Sequence, residues 1–392
     1  RSVQGRSRAD RVHQGCQGCE ITEDADTSQM LKSPARYVQG KGVLKELDRY
    51  LQGLGNHLMI LQTAGGMRRN KSMLDNCFQG KEFIVDYEAF SGECTRAKIE
   101  AWAAQCRRDG VTAVIGIGGG KVLDTAKGIA YYTGLPMVIV PTVCATDAPC
   151  SSLSVMYTDE GVFDAYLFLN NCPNVVIVDS EIIARAPARL LVAGMGDAMA
   201  TYFEARACRA SGSNNQVAAK PTRTATEMAA LTWKYLQADG AKAKIAVEAG
   251  VVTPALENII EVNTYLSGVG FESGGLAAAH GIQKGFTVIP ELHEAYHGEK
   301  VAFCTLTQLI LENAPTEEIR SVLDFCLSVG LPVCFADLGY EAVDAKAFRW
   351  AAEKACVPGS TIHNLPFEVT ADMVADALLA ADAMGRAYRA EK

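Results

Sequence analysis

The stretch AVIGIGGGKVLDTAKGIA, residues 113–130, decides the fold, because it joins an apolar strand to a helix through a glycine-rich loop. The glycines are Gly116, Gly118, Gly119 and Gly120. Glycines let a phosphate approach the backbone closely, while a helix N-terminus directs amide groups and the positive end of its dipole at that phosphate. The pattern therefore has the form of a pyrophosphate-binding loop.

This loop matches neither standard phosphate-binding motif. G-x-G-x-x-G fails because Lys121 occupies the last glycine position. The P-loop fails because Ile115 replaces its first glycine and Val122 its Ser or Thr. The alternative is a tight strand-to-helix turn that needs glycine for geometry alone. We favour phosphate binding, because four glycines in this loop exceed what a turn demands.

Strands and helices alternate around this loop up to about residue 180. Short apolar or β-branched runs predict buried strands at residues 58–64, 83–90, 113–118, 137–142 and 175–180. Helical patterns occupy residues 45–55, 95–110 and 121–134. Alternating strands and helices predict a mainly parallel α/β sheet, with ligands bound beyond the carboxyl ends of the strands.

The pattern changes after residue 150. Residues 151–169 resemble a β-hairpin with a turn at Asp159-Glu160-Gly161, and from about residue 183 Ala- and Leu-rich segments such as 223–250 predict helices. We therefore predict an α/β dinucleotide-binding domain over residues 33–184 and an all-α metal-binding domain over 185–392. Residues 1–32 are polar and lack a hydrophobic period, so a leader or disordered arm is expected there.

Composition excludes several classes of protein. A formal net charge of −8 argues against a nucleic acid or a membrane surface as the main partner. No apolar run approaches the roughly 20 residues of a membrane span. The thirteen cysteines are scattered through apolar segments, so we expect reduced thiols in a cytoplasmic protein. The C-x-x-C formed by Cys16 and Cys19 is expected to be incidental.

Asp197, His280 and His297 are candidate ligands of a catalytic metal. Asp197 lies in the apolar stretch 190–205, where a buried carboxylate needs a neutralising group, and half of the six histidines fall between residues 280 and 297. One carboxylate and two imidazoles leave a coordination position free, as a catalytic zinc requires. Ligands this far apart in the sequence have no characteristic spacing. An equal alternative is therefore that Asp197 caps a helix and that His280 and His297 are hydrogen-bonded polar residues at helix ends.

His293 is a rival candidate ligand. It forms H-x-x-x-H with His297, and residues four apart share a helix face. Glu294 does not complete the H-E-x-x-H motif, which places two residues between the Glu and the second His. We therefore expect His293 at the surface or behind the ligands.

The chain from about residue 33 onward resembles bacterial glycerol dehydrogenases, members of the group III or iron-type alcohol dehydrogenase superfamily. The resemblance rests on five segments that occur in order. They are GIGGGKVLDTAK, PTVCATDAPCSSLSVMYTDEG, PARLLVAGMGDA, VVTPALENIIEVNTYLSGVGFESGGLAAAH and YHGEKVAF. The resemblance implies a dehydroquinate synthase-like fold, with the active site between the two domains, and suggests a large homo-oligomer such as an octamer.

The resemblance also implies roles for individual residues. Asp197, His280 and His297 would bind zinc, and Asp147, in CATDAPC, would face the polyol substrate. The residues expected around the pyrophosphate are Gly118, Gly119, Gly120, Lys121, Val122, Leu123 and Asp124. Those expected around the nicotinamide are Thr142, Ala145, Ser151, Leu153 and Tyr157. An Asx-type turn before Pro149 is the alternative role for Asp147.

The expected reaction is oxidation of glycerol or a related vicinal diol to dihydroxyacetone or its analogue, with a hydride passing to NAD. Thr201 stands where iron-type members carry a fourth ligand, a histidine, so zinc fits better than iron. Dehydroquinate synthase and glycerol-1-phosphate dehydrogenase fit less well. Their substrates carry a phosphate, which needs several Lys or Arg around the metal, and Lys284 and Lys300 are the few candidates near His280. An inactive metal-binding relative is the alternative from another class.

The cofactor loop departs from the family at one position. Glycerol dehydrogenases resemble one another in an Asp that follows the strand corresponding to residues 58–62, where it would hold the adenosine ribose; here Thr63 occupies the position. Arg68 and Arg69 follow closely. Loss of the carboxylate removes the charge that excludes a 2′-phosphate, so we expect NAD to be used and NADP to be accepted as well.

Overall fold

A six-stranded parallel sheet forms the centre of the N-terminal part of the chain. The computed structural model describes residues 27–341 and 344–392. Their strands are β1 (Gln29–Met30), β2 (Tyr37–Gly40), β3 (His57–Thr63), β4 (Ile84–Phe90), β5 (Ala113–Gly118), β6 (Met137–Pro141), β7 (Leu153–Tyr157), β8 (Phe163–Phe168), β9 (Val175–Asp179) and β10 (Lys220–Pro221).

Helices cover the sheet and make up most of the remaining chain. Those before residue 185 are α1 (Leu47–Tyr50), α2 (Ala64–Phe78), α3 (Arg96–Asp109), α4 (Gly120–Thr133) and α5 (Ser180–Ala184). Those after it are α6 (Ala188–Ser211), α7 (Arg223–Glu248), α8 (Pro254–Glu261), α9 (Ser267–Gly274), α10 (Ala278–Gly285), α11 (His297–Leu311), α12 (Thr316–Val329), α13 (Ala345–Ala355) and α14 (Ala371–Glu391). A π-helical turn, Val262–Leu266, joins α8 to α9.

The strand order of the main sheet creates a binding crevice. The order is β2-β9-β6-β5-β3-β4, and every pairing is parallel. From β3 the chain first adds β4 at one edge of the sheet. It then returns to the other side of β3 to form β5, and β6 and β9 follow towards the opposite edge. Open α/β sheets bind ligands where the winding reverses, outside the carboxyl ends of the strands. Thr63 ends β3 and Gly118 ends β5, so both flank this crevice.

Both faces of the sheet are buried, because successive strand residues point to opposite sides. One face contributes Leu58, Ile60, Ile115, Val138 and Ile177, which pack with Leu44, Leu47 and Leu74. The other contributes Met59, Leu61, Val114, Ile139 and Val176, which pack with Ile99, Leu123 and Ile129. Burial on both sides accounts for the continuous apolar runs of these strands.

The predicted fold class is confirmed, although some elements were missed. The five predicted strands correspond to β3, β4, β5, β6 and β9. Neither β2, which pairs with β9, nor α2 was predicted. The predicted helix over residues 45–55 is wrong in length, because α1 ends at Tyr50 and Gly53 and Gly55 adopt positive φ angles. The domain boundary near residue 184 stays a prediction.

The predicted hairpin is present as β7 and β8, an antiparallel pair whose turn contains Gly161 at φ 80°. The predicted arm lies mostly outside the described residues, as do Cys16 and Cys19. Its assignment to residues 29–32 is wrong: β1 pairs with β10, and Lys32 N donates to Ser273 Oγ at 2.9 Å. These bonds anchor the segment to the helical region.

Two further findings concern the described chain as a whole. Its cysteines are all free thiols, and all except Cys356 are buried, as expected. Among its helices, none combines the length and the apolar character needed to cross a membrane.

Candidate functional site

The three predicted metal ligands come together in the folded chain. Asp197, His280 and His297 each offer a ligand atom, and these atoms lie within 4.8 Å of one another. Asp197 is in the interior of α6 and 0 % exposed, and His280 is in the first turn of α10 and 8 % exposed. The His297 side chain, at the start of α11, is 39 % exposed. Asp197 is therefore not a helix cap, and the site can be reached from one side.

An unpartnered oxygen lies at the centre of this cluster. Asp197 Oδ1 is 3.3 Å from Nε2 of His280 and 3.3 Å from Nε2 of His297, yet no described group forms a hydrogen bond with it. His280 Nδ1 lies 2.5 Å from Glu204 Oε2, so a neutral imidazole carries its proton there and presents a lone pair at Nε2. In that form the lone pairs of a carboxylate and an imidazole face each other, so either a proton or a metal cation must lie between them. The residues therefore fit a divalent metal.

The charges in the cluster support this assignment. Burial acts to raise the pKa of Asp197, but the imidazoles of His297 and His280 hold that pKa below its ordinary value. Burial acts to lower the pKa of His280, but Glu204 and Asp197 raise it well above its ordinary value. A metal competes with protons for the same lone pairs, so metal binding here is expected to release protons.

Glycines allow the segments of the site to approach α6 closely. A Cβ at Gly194 would lie 2.0 Å from the carbonyl oxygen of Cys144, and one at Gly298 would lie 1.8 Å from that of Ala193. A Cβ at Gly196 would lie 2.4 Å from the carbonyl oxygen of Gly298. The glycines of LLVAGMGDA thus bring the loop after β6 and the start of α11 against the helix that carries Asp197.

Asp147 is buried beside Asp197. Its backbone N–H donates to Asp197 Oδ2 at 3.2 Å, and its own Oδ2 accepts from Ser267 Oγ at 2.9 Å. Ser267 Oγ in turn lies 2.8 Å from Thr201 Oγ1, so the residue at the fourth-ligand position of iron-type enzymes belongs to this chain of hydrogen bonds. Asp147 precedes a short 3₁₀ turn, Ala148–Cys150, without capping it through its side chain. The Asx-turn alternative therefore lacks the hydrogen bond that it requires.

The glycine loop has room for an anionic group. Packing against Val122 accounts for Gly118, because a Cβ there would lie 2.9 Å from Val122 Cβ. Neither packing nor a positive φ accounts for the next two glycines: Gly119 has φ −91°, and a Cβ at Gly120 would meet no described atom within 4 Å. Gly119 precedes α4 with no side-chain cap from the described residues. The first N–H groups of α4 therefore have no side-chain partner among the described residues, which suits binding of a pyrophosphate.

Other residues predicted at the pyrophosphate are placed differently. The side chains of Val122, Leu123 and Asp124 are buried, so only their backbones could contact a cofactor. Asp124 Oδ2 accepts from Val155 N at 3.2 Å, and burial raises the pKa of this carboxyl to about 6. Lys121 is exposed and directs Nζ to Glu93 Oε1 at 2.5 Å.

The loop after β6 forms the far side of the crevice. Thr142 and Ala145 in this loop, and Leu153 and Tyr157 at the two ends of β7, are partly exposed, and their place near a nicotinamide stays a prediction. Ser151 is only 1 % exposed, so the structure does not bring its hydroxyl to the surface. Its Oγ accepts from the buried Lys127 Nζ at 3.2 Å, and the same ammonium donates to Ala148 O and Leu153 O at 2.5 and 2.9 Å. Lys127 thus fixes the shape of this loop.

Thr63 ends β3 and caps α2, at the carboxyl edge of the sheet. Its Oγ1 accepts from Gly66 N at 3.1 Å, and the residue is exposed. A Cβ at Gly65 would lie 3.4 Å from Arg69 Nη1 and 3.7 Å from Arg68 Nη2. Both guanidinium groups therefore lie beside the N-terminus of α2, close to Thr63.

Sequence reasoning separated His293 from the ligands but missed three supporting residues. His293 is exposed, and its Nε2 lies 3.2 Å from Thr287 O, outside the ligand cluster. The residues missed are Glu204, Ser267 and Lys127. A usable signal was present for two of them, since Glu204 and Lys127 are charged residues within otherwise apolar helical patterns, where burial requires a partner.

Comparison with known proteins defines the class. The family model for iron-containing alcohol dehydrogenase matches residues 34–180. A glycerol dehydrogenase of Escherichia coli is 50 % identical over 92 % of this chain and 99 % of its own length. The chain belongs to the iron-containing alcohol dehydrogenase family and is an alcohol oxidoreductase.

Within that family the chain is similar to glycerol dehydrogenases. The crystal structure of a probable glycerol dehydrogenase from Sinorhizobium meliloti has 43 % sequence identity and a TM-score of 0.86, covering 92 % of this chain and 100 % of the other. The structure of glycerol dehydrogenase from Schizosaccharomyces pombe has 32 % identity and a TM-score of 0.89, covering 93 % of both chains. The resemblance drawn from the sequence is thus confirmed.

Proposed function

We propose that this chain oxidises glycerol and related small vicinal diols, with NAD as hydride acceptor and a zinc ion held by Asp197, His280 and His297. Glycerol would give dihydroxyacetone. The observation that carries the metal assignment is Asp197 Oδ1, a fully buried oxygen with two imidazole nitrogens 3.3 Å away and no hydrogen-bond partner among the described residues. A divalent cation held by these residues would lower the pKa of a substrate hydroxyl, which otherwise lies far above neutrality.

The residues of the chain have distinct roles in this proposal. Asp197 stays ionised, and the backbone N–H of Asp147 fixes its second oxygen. Burial and the charge of Asp197 raise the pKa of Asp147 well above its ordinary value, so this carboxyl can hold a proton and orient a substrate hydroxyl. The proton released on oxidation would leave to water or through the ribose of a bound cofactor. The first turn of α4 holds the pyrophosphate through backbone N–H groups, and Lys127 keeps the nicotinamide side of the crevice in shape.

The choice of zinc and of an uncharged substrate follows from the surroundings. Three protein ligands with two imidazoles suit zinc, and Thr201 at the fourth position bonds to Ser267. A phosphorylated substrate would need free cations. Lys300 Nζ donates to Leu292 O at 3.2 Å, and Lys284 Nζ lies 5.0 Å from the centre of the Tyr166 ring. Use of NADP besides NAD, a homo-oligomer and a cytoplasmic location stay predictions.

Spectrophotometry on the purified protein tests this function. We expect NADH to form from glycerol, and from 1,2-propanediol at a rate within about two orders of magnitude, because one methyl or hydroxyl group changes binding by about 1 to 3 kcal/mol. A chelator should abolish the reaction, and zinc should restore it more fully than magnesium, since imidazole ligands suit zinc. Metal analysis should find zinc in the active protein. Zinc-loaded protein that forms no NADH from any vicinal diol would favour an inactive relative instead.

A further inference from the structure

Glu204 is a fully buried carboxylate behind the candidate metal site. It is 0 % exposed and lies seven residues after Asp197 on α6, which places both side chains on one face of that helix. An ionised carboxyl group without compensating partners is costly to bury. The partners of Glu204 therefore indicate its role.

Three donors from one segment converge on this carboxylate. Glu204 Oε2 lies 2.5 Å from His280 Nδ1. Glu204 Oε1 accepts from the backbone N–H groups of Ala277 and His280 at 2.8 and 2.9 Å. Ala277, which precedes α10, provides no side-chain cap, so Glu204 takes up donors that the helix leaves unpaired. One carboxylate thus anchors both the backbone and the ring of His280.

We propose that Glu204 is a positioning residue of the metal site, which fixes the tautomer and the orientation of His280 so that its Nε2 faces Asp197 Oδ1. This inference rests on the metal site of the proposed function. The proton held on Nδ1 leaves the Nε2 lone pair free for the cation, and the negative charge behind the ring makes that lone pair a stronger donor. His280 is the one basic side chain that the described residues bring into contact with Glu204, so the charge acts on the metal through the ring.

An amide cannot replace this carboxylate. Both oxygens of Glu204 accept from N–H donors, whereas glutamine presents one oxygen and one NH₂ group, so at least one donor would face another donor. Partners of metal-bound histidines typically change metal affinity 10- to 100-fold when they are mutated. Glu204→Gln should therefore weaken zinc binding by about 10- to 100-fold, with a changed ligand field at the metal.

The test measures metal binding rather than turnover. Zinc affinity of metal-free wild type and Glu204→Gln is determined by competition with a chromophoric chelator, and the visible spectrum of the cobalt-substituted proteins reports the ligand field. We expect weaker zinc binding and a shifted cobalt spectrum in Glu204→Gln. If that variant does not fold, Glu204→Asp takes its place, because it keeps the charge but shortens the reach to Nδ1, and the same changes are expected.

Two controls separate positioning from support of the fold. Asp382→Asn alters another buried carboxylate. Asp382 lies on α14, and its Oδ1 accepts a hydrogen bond from Phe335 N at 2.8 Å. Gln308→Met removes the acceptor of Ala279 N in the same turn of α10 without touching the imidazole. Both should lower the melting temperature while zinc affinity changes less than in Glu204→Gln.

The inference would be overturned if the folded Glu204 variants kept the zinc affinity and the cobalt spectrum of wild type and differed only in a lower melting temperature. Wild-type protein that binds no zinc would instead overturn the metal assignment itself, so the two failures are distinguishable.

Discussion

Replacing Gly298 by alanine should disrupt the metal site while leaving every candidate ligand in the sequence. Gly298 follows His297 at the start of α11. An ideal Cβ there would lie 1.8 Å from Ala193 O and 3.1 Å from Asp197 N, whereas real Cβ atoms essentially never come within 3.0 Å of another heavy atom. Both contacts are with the backbone of α6, which cannot move aside as a flexible side chain can. The start of α11 and α6 must therefore separate by about 1.2 Å.

That displacement is large for a metal site. Ligand distances in such sites hold to within about 0.2 Å, and a misplacement of about 1 Å can reduce catalysis about 100-fold. Because His297 precedes Gly298 and Asp197 N lies beside it, the separation moves two of the three ligands apart. We expect Gly298→Ala to weaken zinc binding and to lower kcat/KM by roughly 100-fold or more. Overpacking should also lower stability by about 1 to 3 kcal/mol.

A second glycine provides the matched control. A Cβ at Gly385 in α14 would lie 1.7 Å from Val333 O, a clash of the same kind between other segments. Gly385→Ala should lower the melting temperature by a similar amount while zinc affinity, measured by chelator competition, stays close to wild type. Wild-type zinc affinity in Gly298→Ala, or equal loss of affinity in both variants, would refute the argument that Gly298 sets the ligand geometry.

Four further outcomes are expected. His280→Ala should abolish activity and zinc content, whereas His293→Ala should leave both nearly intact; equal losses would point to an H-x-x-x-H site instead. Asp147→Asn should raise the KM for glycerol strongly with NAD affinity nearly unchanged, and normal kinetics with a lower melting temperature would contradict the substrate role. Thr63→Asp keeps a helix-capping side chain and should raise the preference for NAD over NADP roughly tenfold or more; a strict NAD preference in wild type that the change does not alter would place Thr63 away from the ribose. Burial raises the pKa of Asp124 from 3.8 to about 6, so the folded protein holds this proton more tightly and loses stability, on the order of 3 kcal/mol, as the pH rises from 3.8 to 6. The stability of Asp124→Asn relative to wild type, measured by denaturant unfolding, should therefore increase over that interval, and a constant difference would contradict the shift.

The central strands could be predicted because burial on both faces leaves a clear trace in the sequence. β5 matches its predicted bounds, since its residues are apolar or glycine throughout. β2, with the sequence YVQG, lacks such a run and owes its existence to pairing with β9, which is distant in the chain. The first turn of α2 contains Gly65 and Gly66, which are poor helix formers and conceal its start, although Thr63 caps it.

The clustering of the three candidate ligands could also be predicted, because carboxylate and imidazole groups in apolar surroundings indicate metal chemistry. The resemblance supplied Asp147 and the cofactor residues. What the sequence does not reveal is which of their side chains face the crevice. Ser151 is turned inward by Lys127, and Val122 and Leu123 pack in the core. These placements depend on contacts between α4 and the loop after β6, which no local pattern encodes.

The burial of helix α6 explains why the candidate site could be predicted only in part from the sequence. Thr201 and Glu204 lie four and seven residues after Asp197 along it, so the three side chains share one face. Asp197 belongs to the candidate metal cluster, Thr201 to the hydrogen bonds of Asp147, and Glu204 contacts His280. Gly194 and Gly196 bring neighbouring backbones close enough for those contacts. A helix buried on all sides has no polar face for periodicity to detect. Its polar residues are the departures from the apolar pattern, and each must be satisfied by a partner, so these departures mark the site before any ligand is known.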